Sequence, residues 1–295
     1  MIINRPNLES VRAGFQSVYD SAFSAAQPQW NRVAMEVNST SSKEEYGWLG
    51  SSTSFRKWVG ERVLQNLKEH GFTIRNEAFE NTVPVSRDAI EDDTIGIYKP
   101  MLEMLGQDAA MHPDELVFTL LKNSFTGLCY DGQYFIDTDH PVVGENGAIV
   151  SVSNSGGGSG LPWFLLDTRK PIKPLIFQKR RAYEFVAKDD PKDDNVFERR
   201  EFVYGVDSRV NAGYGLWQLA YGSKQTLDAT NYGLGRTSMQ SIRGDNGRPL
   251  NIMPNLLVVG PANETAARTL LSAEQINGTT NIHRNTAELL VCPWL

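Results

Sequence analysis

The chain has 295 residues, 40% hydrophobic and 22% charged, with a formal net charge of −6. That is ordinary for a soluble globular protein able to bury a substantial core, and the acidic balance disfavours a phosphate-gripping surface, which needs Lys and Arg massed on one face. The opening MIINRPNLESVRAGF has no signal-type apolar run, no stretch nears the ~18 apolar residues of a membrane span, and Cys129 and Cys292 read as reduced, buried thiols rather than a disulfide.

Residues 1–45 are polar and rich in Ser and Asn, with Val11, Phe15, Val18, Tyr19 and Phe23 at near-helical spacing. The expectation is an arm carrying one short helix, ending in the loop Asn38–Lys43. Beyond Tyr46, the residues Val59, Val63, Leu64 and Leu67 fit one helical face or a strongly twisted strand, stopped at Gly71. Phe72, Ile74, Asn76 and Ala78 then alternate, as do Val83 and Val85, which predicts a long, thin hairpin over 46–85. Such a hairpin is marginal alone and needs a partner surface. Trp48, Phe55, Trp58, Phe72 and Phe79 fall within it, so they are expected to be buried against another chain.

Ser86 begins the longest helical pattern, with Ile90, Thr94, Ile97, Met101, Leu105 and Ala109 on one face. Asp88 to Glu91 resembles a capping box, and Asp92 and Asp93 suit a helix start. Pro100 opposes the carbonyl of Gly96, so the spacing predicts one helix over about 86–111 bent near Gly96–Pro100, or two helices meeting there. Pro113, with Asp114 and Glu115, is expected to start a shorter helix carrying Leu116, Val117, Leu120 and Leu121.

Residues 125–171 read as loop-rich, with Asn154-Ser-Gly-Gly-Gly-Ser-Gly160 as a linker or surface loop. Strands are predicted at Leu175–Gln178, Tyr183–Ala187, Val196–Val206 and Leu216–Tyr221, with an acidic turn at Asp189–Asp194. From 223 to 295 the pattern is helix, strand, helix, strand. Leu256–Val259 is a buried strand by its unbroken apolar run, the helix after it carries Ala266, Ala267, Leu270 and Leu271, Asn277-Gly278 marks a turn, and Leu289–Cys292 is the last strand.

Asp137-Thr-Asp139-His140 is the best metal-like cluster, since two carboxylates and an imidazole can hold a divalent ion that activates water. A strand sets neighbouring side chains on opposite faces, however, and His70, His112, His140 and His283 form no spaced pair. The expectation is a self-bonded turn, with no catalytic, cofactor-binding or metal residue assigned; the competing reading is a metal-dependent hydrolase using Asp137, Asp139 and His140. The Gly156–Gly160 run lacks a P-loop ending, Gly213-Tyr-Gly215 reads as a turn, and Cys129 has no basic neighbour to activate it. Lys179-Arg180-Arg181 reads as a solvated strand end or subunit contact rather than a nucleic-acid grip.

Several stretches together resemble the Mu-like phage major head subunit of the gpT type. They are Trp58-Val-Gly-Glu-Arg62, Ser86-Arg-Asp-Ala-Ile-Glu-Asp-Asp93, Tyr130-Asp-Gly-Gln-Tyr-Phe-Ile-Asp-Thr-Asp-His-Pro141, Tyr204-Gly-Val-Asp-Ser-Arg209, Gly213-Tyr-Gly-Leu-Trp217 and Gly247-Arg-Pro-Leu250. The resemblance implies an α+β protein with the Hong Kong 97-type phage capsid fold. Residues 1–45 would be an N-terminal arm, 46–85 an extended loop, 86–222 a peripheral domain with a spine helix and strands about 172–221, and 223–295 an axial domain. It also implies an order of parts permuted from the commonest members. Lys68 lies in the loop, but no cross-linking partner is marked, so it is assigned no role.

The implied function is structural: self-assembly into pentamers and hexamers of an icosahedral shell, in the bacterial host cytoplasm, with no enzyme activity and no cofactor. The implied partners are other copies of the chain, a separate scaffolding protein, a portal, and decoration or protease proteins. Double-stranded DNA is enclosed without sequence-specific binding, and no membrane is involved. A mildly acidic wall would not hold that DNA to itself. A non-shell oligomeric phage protein, such as a tube or adaptor subunit, is the other structural alternative.

Overall fold

The computed structural model describes residues 1–47, 49, 72–276 and 278–295. The expectations placed on Trp48, Phe55, Trp58, Val59 to Leu67, Lys68 and Gly71 lie outside these residues. Among the described residues no helix is long and apolar enough to cross a membrane.

Asn4 starts the first helix, α1 (Arg5–Ala25), by accepting a hydrogen bond from the Asn7 amide. Its stripe of Leu8, Val11, Phe15 and Tyr19 is buried. The arm is therefore not free of its own subunit. After a 3₁₀ turn come β1 (Ala34–Asn38), β2 (Lys43–Glu45), β3 (Thr73–Arg75) and β4 (Glu77–Ser86). The Ser86 side chain accepts from the Asp88 amide and opens α2 (Arg87–Glu91), a single turn braced by the Arg87–Glu91 ion pair at 2.8 Å.

The chain then breaks rather than bends. Asp93 takes a left-handed φ of 58°, and a 3₁₀ turn at Ile95–Tyr98 leads into α3 (Lys99–Lys122). Pro100 sits in the first turn of α3, where its missing N–H has no helical partner to lose. Of the two expected arrangements, two separate helices is the one found. Pro113 does not start a helix; it lies inside α3. Beside it Asp114, almost fully buried, ties the helix to the chain after α1 by accepting from the backbone amides of Gln29 (2.9 and 3.0 Å) and Trp30 (2.7 Å). The buried face of α3 also differs from the expected one: Leu102, Leu105 and Ala109 point inward, while Ile97 and Met101 are exposed. Gly106 permits the close crossing of α1 and α3, since a Cβ there would stand 2.5 Å from the Tyr19 carbonyl oxygen.

Next come β5 (His140–Val143) and β6 (Ile149–Val152), paired antiparallel, then β7 (Ser155–Gly158) and β8 (Trp163–Leu166). Two 14-residue strands follow, β9 (Leu175–Lys188) and β10 (Glu201–Tyr214), joined through the short helix α4 (Asp194–Arg199), and then β11 (Ala220–Lys224). Thus the two expected strands at 175–187 are one, and the expected strand start at Val196 is helical. The remainder is α5 (Ala229–Ser241), β12 (Leu256–Val259), α6 (Glu264–Ser272), the small pair β13 (Gln275–Ile276) and β14 (Thr279–Thr280), and β15 (Glu288–Val291).

Two sheets organise these elements. One has the order β1-β9-β10-β4 and the other β15-β12-β8-β11-β7. The first joins β4, expected to belong to a thin loop hairpin, antiparallel to β10 from Glu201 opposite Ser86 to Val210 opposite Glu77. The second takes strands from both sides of the expected boundary at 222/223. The Gly-rich run, expected as a linker, supplies its edge strand β7, parallel to β11. A Cβ on Gly156 would collide with the hydroxyls of Tyr221 and Ser223, which is why that strand is made of glycine.

Two hydrophobic cores result. One gathers α1, the first half of α3 and the outer part of the first sheet, including Phe15, Leu102, Phe202 and Tyr204. The other surrounds the five-stranded sheet, with Val117, Phe118 and Leu121 from the second half of α3. Helix α3 and strands β4, β9 and β10 contribute to both.

Candidate functional site: the His140 cluster and the assembly surface

Asp137, Asp139 and His140 do not converge. Asp139 is exposed. Asp137 accepts from the amides of Tyr134 (3.1 Å) and Thr138 (2.7 Å), closing its own turn. His140 begins β5, and strand alternation carries its side chain inward, away from its neighbour. It is fully buried and stacked on Trp217, with ring centroids 3.9 Å apart and planes 7° from parallel.

The partners of His140 are residues that sequence reasoning did not select. Nδ1 stands 2.8 Å from Oδ2 of Asp131, and Nε2 stands 3.3 Å from Oδ1 of Asn154. Oδ1 of Asp131 accepts from the Cys129 thiol at 3.0 Å and the Gln133 amide at 3.1 Å. Asn154, also fully buried, donates from its amide nitrogen to the carbonyls of Phe135 (2.8 Å), Ala220 (3.2 Å) and Trp217 (3.3 Å). Burial alone would raise the Asp131 carboxyl, but hydrogen bonds from His140 and Cys129 hold it below its usual range. Burial, reinforced by the Asp131 charge, pushes the Cys129 thiol up, so it is no nucleophile. Burial likewise raises Cys292, to about 11. The available signal was the tight turn Cys129–Gln133, closed by the Cys129 amide on the Gln133 carbonyl with Gly132 at φ 86°.

The surface is more informative than the interior. Phe197, on α4 at the tip of the β9–β10 hairpin, is 89% exposed, and Ile282 is 81% exposed. Ile97, Met101 and Met104 line the outer side of α3 and the turn before it. Among the exposed large hydrophobic side chains of the described residues, Phe197 is the barest, and water disfavours a phenylalanine so placed. Phe72 and Phe79, expected to be buried against another chain, instead pack on this subunit's own core, Phe79 edge-on to His112 at 4.4 Å. The basic cluster is occupied within the fold. Lys179 pairs with Glu36, Arg181 pairs with Asp207 at 2.7 Å, and Arg180 donates to the Ser39 carbonyl.

This architecture matches the subunit in the procapsid of bacteriophage JBD30, with a TM-score of 0.88 and 38% identity over 99% of this chain and 100% of that one. It matches the bacteriophage JBD30 capsid with a TM-score of 0.78 and 30% identity over 92% of each chain. The fold is therefore that of the Hong Kong 97-type phage major capsid proteins, structural subunits of the virion and not enzymes. Among sequence relatives, the major capsid protein of Escherichia phage Mu is 40% identical over the whole of both chains. The Mu-like prophage FluMu major head subunit of Haemophilus influenzae is 39% identical, covering 90% of this chain and 89% of that one. Residues 8–295 match the model for the Mu-like prophage major head subunit gpT, and the chain belongs to that family. It is the major capsid protein of a tailed phage, and it associates with copies of itself in the shell. Neither the hydrolase built on Asp137, Asp139 and His140 nor a tube or adaptor subunit finds support.

Proposed function

We propose that the subunit forms pentamers and hexamers of a closed icosahedral shell around double-stranded DNA. In this reading the four-stranded-sheet region with α1 and α3 is the peripheral domain, and the five-stranded-sheet region is the axial domain around each capsomer centre. Strand β4 then belongs to the peripheral sheet, and Tyr46 and Leu49, at the start of the segment expected to be an extended loop, lie in this subunit's own core. A separate scaffolding protein guides closure in the host cytoplasm, and a portal occupies one vertex.

The observation that carries this reading is the pairing of a self-sufficient core with a long hairpin whose tip presents bare Phe197. Many symmetric contacts of modest strength close a shell. The net charge of −6 and the internally paired Lys179 and Arg181 favour DNA held by enclosure rather than by grip. Electron microscopy of the chain co-expressed with its scaffolding protein tests this. Closed particles with five-fold and six-fold clusters are expected; open tubes or isolated rings would contradict it.

A further inference from the structure

We propose that Cys129, Asp131 and His140 form a binding site for a zinc-class divalent cation. One ligand atom from each lies within 4.8 Å of the others. A thiol, a carboxylate and an imidazole make the borderline-soft donor set that zinc takes.

A second, independent observation is a conflict of acceptors around His140. The Asn154 amide nitrogen is committed to three backbone carbonyls, and its oxygen, which accepts from the Asp137 amide at 2.8 Å, also faces Nε2 at 3.3 Å. The Asp131 carboxylate faces Nδ1 at 2.8 Å. A neutral imidazole carries one N–H and satisfies one acceptor. Donation from Nδ1 to Asp131 leaves the Nε2 lone pair 3.3 Å from an Asn154 oxygen that already serves Asp137, and donation from Nε2 leaves the Nδ1 lone pair against a carboxylate oxygen, where a cation would join the two. That same Nε2–H bond to a fixed oxygen is the outer contact which orients metal-bound histidines.

Charge and geometry agree with this. A thiolate and a carboxylate against a divalent cation leave a neutral group, as a buried site requires. Loading exchanges the Cys129 S–H bond for a sulfur–metal bond and releases one proton, with no change of oxidation state. Ligands at about 2.0–2.3 Å around a tetrahedral zinc stand roughly 3.3–3.5 Å apart. The Cys129 sulfur stands 3.0 Å from Oδ1 and Nδ1 stands 2.8 Å from Oδ2, so a cation between them would take the Asp131 carboxylate through both oxygens after a slight opening. The remaining pair, the Cys129 sulfur and the His140 nitrogen, lies within 4.8 Å. Tyr130 and Asp131 also line a cavity of about 490 Å³ walled by Val142, Ile149, Leu216 and Leu250, which brings solvent to the Asp131 side of the site. The cation would tie the 129–133 turn to the start of β5 beneath Trp217.

The test is titration of reduced, metal-stripped subunit with cobalt(II) chloride. One equivalent should bind with a thiolate-to-cobalt charge-transfer band, and one equivalent of zinc chloride should displace it. C129S and D131N should abolish the band, whereas C292S should keep it. Circular dichroism melting establishes that each variant is folded. Should C129S fail to fold, protection of Cys129 from alkylation by zinc in the wild-type chain, read by mass spectrometry, replaces it. No sulfur band and no protection in the folded wild type, or a band that survives in C129S, would overturn the site.

Discussion

The two sheets differ in how completely the subunit covers them. In the five-stranded sheet, β8 and β12 are buried at every residue, and each lies between two neighbouring strands. In the four-stranded sheet, β9 is buried from Leu175 to Gln178, but its remaining residues run half-buried and exposed out to α4. The first is a closed core made by one chain. The second is a ribbon, lined on one side by α1 and α3, whose tip ends in a nearly bare phenylalanine. Substitutions in the first region should therefore act on stability, and those at the end of the second on association.

The largest effect is expected at the centre of the five-stranded sheet. Trp163 is fully buried and its indole N–H donates to the Gln225 carbonyl at 2.8 Å. Replacing it by Ala should cost about 3–5 kcal/mol and yield largely insoluble subunit, read by denaturant melts of whatever folds. A loss below about 1 kcal/mol would mean that this core is less closed than described.

Next comes the junction between the arm and α3. Asp114→Ala removes the acceptor for the Gln29 and Trp30 amides and should destabilise the unassembled subunit by about 1–3 kcal/mol. Unchanged melting would show that residues 1–33 are held mainly by other contacts.

A smaller effect concerns acid. Burial would raise the Asp167 carboxyl, but the Arg169 side chain and the Met253 and Arg169 amides hold it below its usual range. A carboxyl depressed on folding contributes stability above the unfolded carboxylate range, about pH 4, and loses it as pH falls through the lower folded value. Asp167→Asn should lower stability at neutral pH and flatten the decline below about pH 4. Parallel acid-unfolding curves for the two proteins would contradict this.

Much of the helical and final-region pattern was legible because it rests on local signals. The unbroken run Leu256–Val259 is a buried strand, and Ser86 does start a helix. What was not legible depended on partners distant in sequence. Pro113 reads as a helix start until Asp114 is seen gripping residues 29 and 30. The glycine run reads as a linker until Tyr221 fills the space its side chains would need. Trp163–Leu166 is an unbroken apolar run like Leu256–Val259, but the glycine stretch before it made the whole of 125–171 read as loop. At the His140 cluster, adjacency in sequence pointed to Asp137 and Asp139, whereas a turn brings in Asp131 from nine residues away.

The most direct measurement compares folding and assembly for Phe197→Ser. The residue is 89% exposed, so the unassembled variant should melt within about 0.5 kcal/mol of the wild type. Sedimentation of the same protein with its scaffolding protein should show few or no closed shells. A destabilised subunit, or shells formed at the wild-type yield, would contradict the claim that the hairpin tip works between subunits.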